Sequence, residues 1–132
     1  MHAVLSDDPL RIRRVAEHYA RFFAGFVKPL PPLRARAHGG PLRIAYLSAD
    51  FQQHATAQLM VQMLEAHDRR RVEVTLVSAG ADDGSDMRQR LKRACHRFED
   101  LHGATHEAMA RRIRALGIDV LVDVKGATDG TL

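Results

Sequence analysis

The chain has 132 residues, 45% hydrophobic and 27% charged, which supports one folded core and excludes a largely disordered chain. No apolar run reaches the ~18 residues of a membrane span, no charged-then-apolar leader opens the sequence, and Cys95 has no second cysteine for an internal disulfide. The expected location is therefore the cytoplasm, with no membrane partner. Net charge is +4 and unevenly placed: residues 1–43 carry eight basic against three acidic side chains (+5), and the rest carry twelve against thirteen (−1). Nucleic-acid binders spread positive charge over the face that docks on phosphates. A basic arm on a near-neutral body argues against nucleic acid as a partner.

The first element is predicted over 8–27. Asp8 is a natural N-cap, Pro9 suits the first helical position, and Ile12, Val15, Ala16, Tyr19, Phe22, Phe23 and Phe26 recur at helical spacing as one apolar stripe. That stripe has to be buried against something. Lys28 to Pro41, rich in proline, arginine and glycine, reads as a connector. Residues 1–41 thus form an N-terminal helix and connector, and 42–132 a separate folded region.

From Leu42 the pattern alternates. Leu42–Ser48 is a strand, 56–67 a helix, Val72–Ser78 a second strand rich in β-branched residues, and 85–95 a helix. His96–Leu101 is a short third strand, Thr105 caps a helix that Gly117 ends, and Ile118–Val124 is a fourth strand. Such alternation predicts an α/β fold: a Rossmann-like parallel sheet of order 3-2-1-4, helices on both faces, with the amphipathic helix preceding it. In that order the loops after strands one and four, 48–56 and 125–131, share the crevice where open α/β sheets bind ligands.

The first loop runs Ser48-Ala49-Asp50-Phe51-Gln52-Gln53-His54-Ala55-Thr56. A histidine just before a helix can donate to a phosphate or hydroxyl, act as a base, or simply cap the helix. The last loop, Lys125-Gly126-Ala127-Thr128-Asp129-Gly130-Thr131, could bring backbone donors to a phosphate or sugar, or be an ordinary turn; it has neither P-loop nor dinucleotide-fingerprint spacing. Asp82-Asp83-Gly84-Ser85 reads as a turn and cap, since it lacks the distal glutamate of a calcium loop. No metal site is expected: His102 and His106 stand four apart, but His102 falls in a turn. Arg111, Arg112 and Arg114 read as a solvated helix face, and Cys95 as a small core residue.

The two loops in this context resemble one family. Pro41 to Ala55, with its D-F-x-x-H motif at Asp50–His54, is similar to the opening of the catalytic region of O-linked N-acetylglucosamine transferases and SPINDLY-type enzymes. Asp82-Asp83-Gly84-Ser85 resembles the family's D-D-G segment, and Leu116 to Thr128 its strand and glycine loop. The likeness covers nearly the whole chain.

The resemblance implies the N-terminal lobe of a GT-B glycosyltransferase of bacterial type, preceded by tetratricopeptide-type repeats. Such an enzyme moves N-acetylglucosamine from UDP-N-acetylglucosamine, or fucose in the SPINDLY branch, to protein Ser/Thr hydroxyls with inversion, needing no metal or other cofactor. It assigns a catalytic role to His54, as a candidate base, and substrate binding to Asp50, Thr56, Lys125, Gly126 and Thr128. Two departures stand out: Ala127 replaces an aromatic or histidine, and Arg111 and Arg114 replace an Asp and a His of animal enzymes. Donor-binding residues belong to the second lobe, so this lobe, as a truncated piece, is expected to be inactive without that partner. A stand-alone Rossmann-like module for a nucleotide or protein is the alternative.

Overall fold

The computed structural model describes residues 7–32 and 39–126. Two compact units divide the chain, Met1–Ala37 and His38–Leu132. In the first, helix α1 spans Pro9–Ala24 and starts as its sequence dictates, with the Asp8 carboxylate accepting the Leu10 N–H at 2.9 Å and Pro9 in the first turn. It ends three residues earlier than predicted, at Gly25, whose N–H returns to the Arg21 and Phe22 carbonyls. The aromatic stripe forms a ladder of ring contacts, Phe22 lying 5.5 Å from Phe23 and 5.0 Å from Phe26 between centroids. Tyr19, Phe22, Phe23 and Phe26 are all more than half exposed. Within its own unit the described residues therefore leave this stripe uncovered.

The second unit alternates β1 (Leu42–Ser48), α2 (Ala55–Glu65), β2 (Val72–Ser78), α3 (Asp86–Ala94), β3 (Arg97–Asp100), α4 (His106–Ala115) and β4 (Val120–Asp123). The strands form one parallel sheet ordered β3-β2-β1-β4, as predicted. β1 and β2 pair along their full length, from Leu42 opposite Val72 to Ser48 opposite Ser78.

Strand alternation sorts the core onto both faces. Tyr46, Val74 and Leu76 pack with Val61 and Leu64 of α2 and Leu91 of α3. Ala45, Leu47 and Val77 face the other way and pack with Met109 of α4. Each large apolar side chain so buried contributes about 1.5–3 kcal/mol. Helix starts follow their capping residues: Ser85 Oγ accepts the Arg88 N–H and Thr105 Oγ1 the Ala108 N–H, both at 3.2 Å. Gly117, at φ +64°, follows α4 in the left-handed conformation that favours glycine. Cys95 is buried, and that burial pushes its thiol up from 9.0.

The fourth strand differs from its prediction. It is four residues long, and Val120 and Leu121 are 42% and 47% exposed. Among the described residues β4 pairs with β1 alone, and nothing described covers its other side.

Candidate functional site

Three strand-end loops meet at the carboxyl edge of the sheet. The β1–α2 loop is central, because β1 lies between β4 and β2. It leaves the strand through Ser48, whose buried Oγ accepts the Asp50 N–H at 3.0 Å. This fixes Asp50 at the end of the sheet with only 6% of its surface exposed.

From the β4 side, Lys125 Nζ reaches Asp50 Oδ1 at 3.3 Å. The Lys125 backbone is held in turn by Asp123, whose Oδ1 accepts the N–H groups of Lys125 and Gly126 at 3.1 and 3.0 Å. Gly126 adopts φ +57°, where a side chain is disfavoured. Both backbone donors that the glycine loop could have offered a ligand at these positions are thus already engaged.

His54 is the N-cap of α2, in extended conformation at φ −141° and ψ 152°. Its Nδ1 accepts the Thr56 N–H at 3.1 Å and lies 3.1 Å from the Thr56 hydroxyl and 3.8 Å from Asp50 Oδ2. A backbone N–H can only donate, so Nδ1 must carry the lone pair. The neutral ring therefore keeps its proton on Nε2. With a side chain 45% exposed, His54 presents a hydrogen-bond donor rather than a free base. The capping role and a ligand role thus fall on opposite nitrogens of one ring.

From the β2 side, the loop is held by close backbone approach and by carboxylates. A Cβ on Gly80 would stand 2.0 Å from the Ala49 carbonyl oxygen, and the Ala79 N–H donates to Ser48 O at 3.0 Å. Asp83 Oδ2 accepts the Gln53 N–H at 2.8 Å, and its Oδ1 accepts the Ser85 N–H at 3.1 Å. The Gln53 bond is the main reason the Asp83 carboxyl sits below its usual value. The neighbouring Asp82 is lowered to about 2, first by the Gly84 N–H and then by the Lys92 ammonium at 3.1 Å.

Asp50, His54, Thr56 and Lys125 are therefore drawn into one linked group, with Gly126 next to it in the chain. Thr128 and Ala127 lie outside the described residues. Arg111 pairs with Glu107 and Arg112 makes two bonds of 2.9 Å to Glu99; both arginines stay solvated, as expected of that face, while Glu99 is largely covered. Among the described residues no group of three His, Cys, Asp or Glu side chains could hold a metal ion, and no helix is long and apolar enough to cross a membrane.

Arg88 was missed in the sequence. Its side chain is fully buried beneath the loops, donating to the Phe51 carbonyl and to Ser78 Oγ, both at 3.0 Å, and to Asp100. The available signal was its spacing from Leu91, Ala94 and Cys95, which puts it on the inward stripe of α3.

Comparison with known proteins gives consistent matches. The model of the family described as glycosyl transferase family 41 matches residues 30–132. The probable UDP-N-acetylglucosamine–peptide N-acetylglucosaminyltransferase SEC of Arabidopsis thaliana is 30% identical over 133 residues, covering 93% of this chain and 14% of the relative. The UDP-N-acetylglucosamine–peptide N-acetylglucosaminyltransferase of Caenorhabditis elegans is 36% identical over 94 residues, covering 70% of this chain and 8% of the relative. A solved structure of a mutant O-GlcNAc transferase from Thermobaculum terrenum superposes with a TM-score of 0.75 at 28% identity, over 86% of this chain and 22% of that one. The chain therefore spans less than a quarter of the length of each of these proteins.

Proposed function

Because the chain belongs to glycosyl transferase family 41, we propose that it is the N-terminal catalytic lobe of a protein that transfers N-acetylglucosamine from UDP-N-acetylglucosamine to serine or threonine hydroxyls of a protein acceptor. Both curated relatives carry that donor and a peptide acceptor in their names. The observation that carries the reading is the meeting of the β1 and β4 loops at the carboxyl edge of the sheet, joined by Asp50 and Lys125. Open parallel sheets bind ligands at this edge, where strand order reverses.

In this reading the lobe supplies the acceptor and sugar side of a cleft. His54 donates from Nε2 to an oxygen of the sugar or acceptor. For it to take the acceptor proton instead, the ring would have to change tautomer and give up its bond from Thr56. Asp50, Thr56, Lys125 and Gly126 set the loop against the substrate, and Thr128 contributes from the glycine loop. Residues 1–41 act as an arm and 42–132 as the lobe. The aromatic stripe of α1 is the seat for upstream tetratricopeptide-type repeats, and the protein works in the cytoplasm.

The lobe alone transfers no sugar, because uridine and diphosphate are held by a second lobe. Titration of the 132-residue chain with UDP-N-acetylglucosamine, followed by backbone amide spectra, should give no saturable shifts. Saturable binding at micromolar donor would overturn this division of labour. In the complete polypeptide, transfer to a serine peptide should fall in His54→Ala; unchanged turnover would remove His54 from the site.

A further inference from the structure

We propose that Arg88 is a positioning residue for the loop that carries His54, locking the carboxyl ends of three strands into one frame. This deepens the reading above and rests on it for the importance of that loop. Arg88 lies in the first turn of α3, yet its side chain has no solvent exposure. Its guanidinium reaches each neighbouring element separately. Nη1 donates to the Phe51 carbonyl in the β1–α2 loop and to Ser78 Oγ at the end of β2, and Nη2 donates to Asp100 at the end of β3. Nε stands 3.2 Å from Asp82 Oδ2, close enough for attraction though without hydrogen-bond alignment. The Phe98 ring covers the group at 4.9 Å from its centroid.

A buried guanidinium costs several kcal/mol in desolvation, which ion pairing and hydrogen bonds must offset. An apolar residue would fill the same space without that cost, but it would leave the Phe51 carbonyl without this donor. What the arginine supplies is direction. Its planar fork holds several acceptors at fixed angles, which a flexible ammonium cannot do. Its anchor on the site loop is Phe51, three residues before His54, and Asp83 of the adjoining turn takes the Gln53 N–H one residue before it. Both tethers come from the segment 82–88. The cap that sets the His54 ring is thus built on a loop fixed at 51 and 53.

The test is amide hydrogen exchange on the 132-residue protein, comparing Gln53 and Thr56 with Val74 and Leu76 in the sheet. In Arg88→Met, protection of Gln53 and Thr56 should fall about tenfold further than that of the strand amides. Arg88→Lys keeps the charge but cannot span Phe51 and Asp100 together, so it should show the same selective loss, reduced. Leu91→Ala, on the same helix in the same core, should lower all four amides together through global stability. The proposal is overturned if the loop-to-strand ratio stays fixed in Arg88→Lys, or if Leu91→Ala changes it equally. Should Arg88→Met fail to fold, Arg88→Lys against Leu91→Ala decides alone. These ratios are read without sugar transfer, so a failure here is distinguishable from a failure of the proposed activity.

Discussion

Lys125 Nζ lies 3.3 Å from the Asp50 carboxylate, joining two residues 75 positions apart at the carboxyl ends of adjacent strands. Only 9% of the Asp50 side chain and 24% of the Lys125 side chain are exposed, so water screens the pair weakly. The contact follows from strand order. β4 pairs with β1 and not with β3, so the last loop falls against the first.

Removing one partner should therefore cost more than at an exposed pair. Lys125→Met is expected to lower stability by about 1–2 kcal/mol, between the surface and fully buried cases. Asp50→Asn should cost less, because the ammonium left behind, Lys125, is the more exposed partner and can turn towards water. Urea unfolding of both single variants and the double variant gives the coupling. A coupling near zero would mean the two loops are not held together by this pair.

Substitutions at His54 can separate its two nitrogens. His54→Ala removes the acceptor for the Thr56 N–H and should destabilise α2 by about 1 kcal/mol. His54→Asn keeps a capping acceptor and should restore most of that loss, while leaving sugar transfer by the complete polypeptide impaired. If Asn restores both, His54 acts only as a cap.

Much of this arrangement could be read from residues alone, and the rest depended on neighbours. Asp8-Pro9 and Thr105 announce helix starts through local chemistry, and the β-branched run at Val72 to Val77 can hardly be anything but a strand. The strand order legible in the sequence already sets the loop of Asp50 and His54 beside the start of the last loop at Lys125 and Gly126. Arg88 escaped because Met87 to Ala94 is charge-rich and looks solvated, whereas its burial arises only when the ends of β1, β2 and β3 converge. Val120-Leu121-Val122 shows the converse, an apolar run left exposed where the described residues pair it on one side only. Apolar composition suggests cover, but cover depends on what stands beside the strand. Lys125 and Gly126 looked like ligand donors because nothing in sequence reveals that Asp50 and Asp123 already engage them.

Acid should loosen the turn that steadies the site loop. Asp82 titrates at about 2 in the fold against an ordinary value of 3.8, and Asp83 is shifted the same way. A carboxyl lowered by folding stabilises the fold fully above its unfolded value and loses that contribution as pH falls through the folded one. The thermal midpoint should therefore decline as pH drops from about 4 towards 2. Asp82→Asn, which still accepts the Gly84 N–H, should flatten that decline. An unchanged slope in the variant would assign the acid sensitivity to other carboxylates.

Gly80 offers the sharpest test of how tightly the loops are drawn together. An added Cβ would lie 2.0 Å from the Ala49 carbonyl oxygen, a backbone atom that cannot swing aside. The Ala79 N–H to Ser48 O bond at 3.0 Å pins the same two segments from the preceding residues. Gly80→Ala is expected to cost about 3 kcal/mol or more, at the upper end of overpacking. Gly84, with open space around it and φ +66°, is the matched control. There alanine meets backbone strain alone, which costs about 1–2 kcal/mol. Because Ala49 directly precedes Asp50, Gly80→Ala should also displace the amide resonances of 49–54, while Gly84→Ala should disturb mainly its own turn. Equal costs at the two glycines, with no shift at 49–54, would show that the β2 loop does not press on the β1 loop.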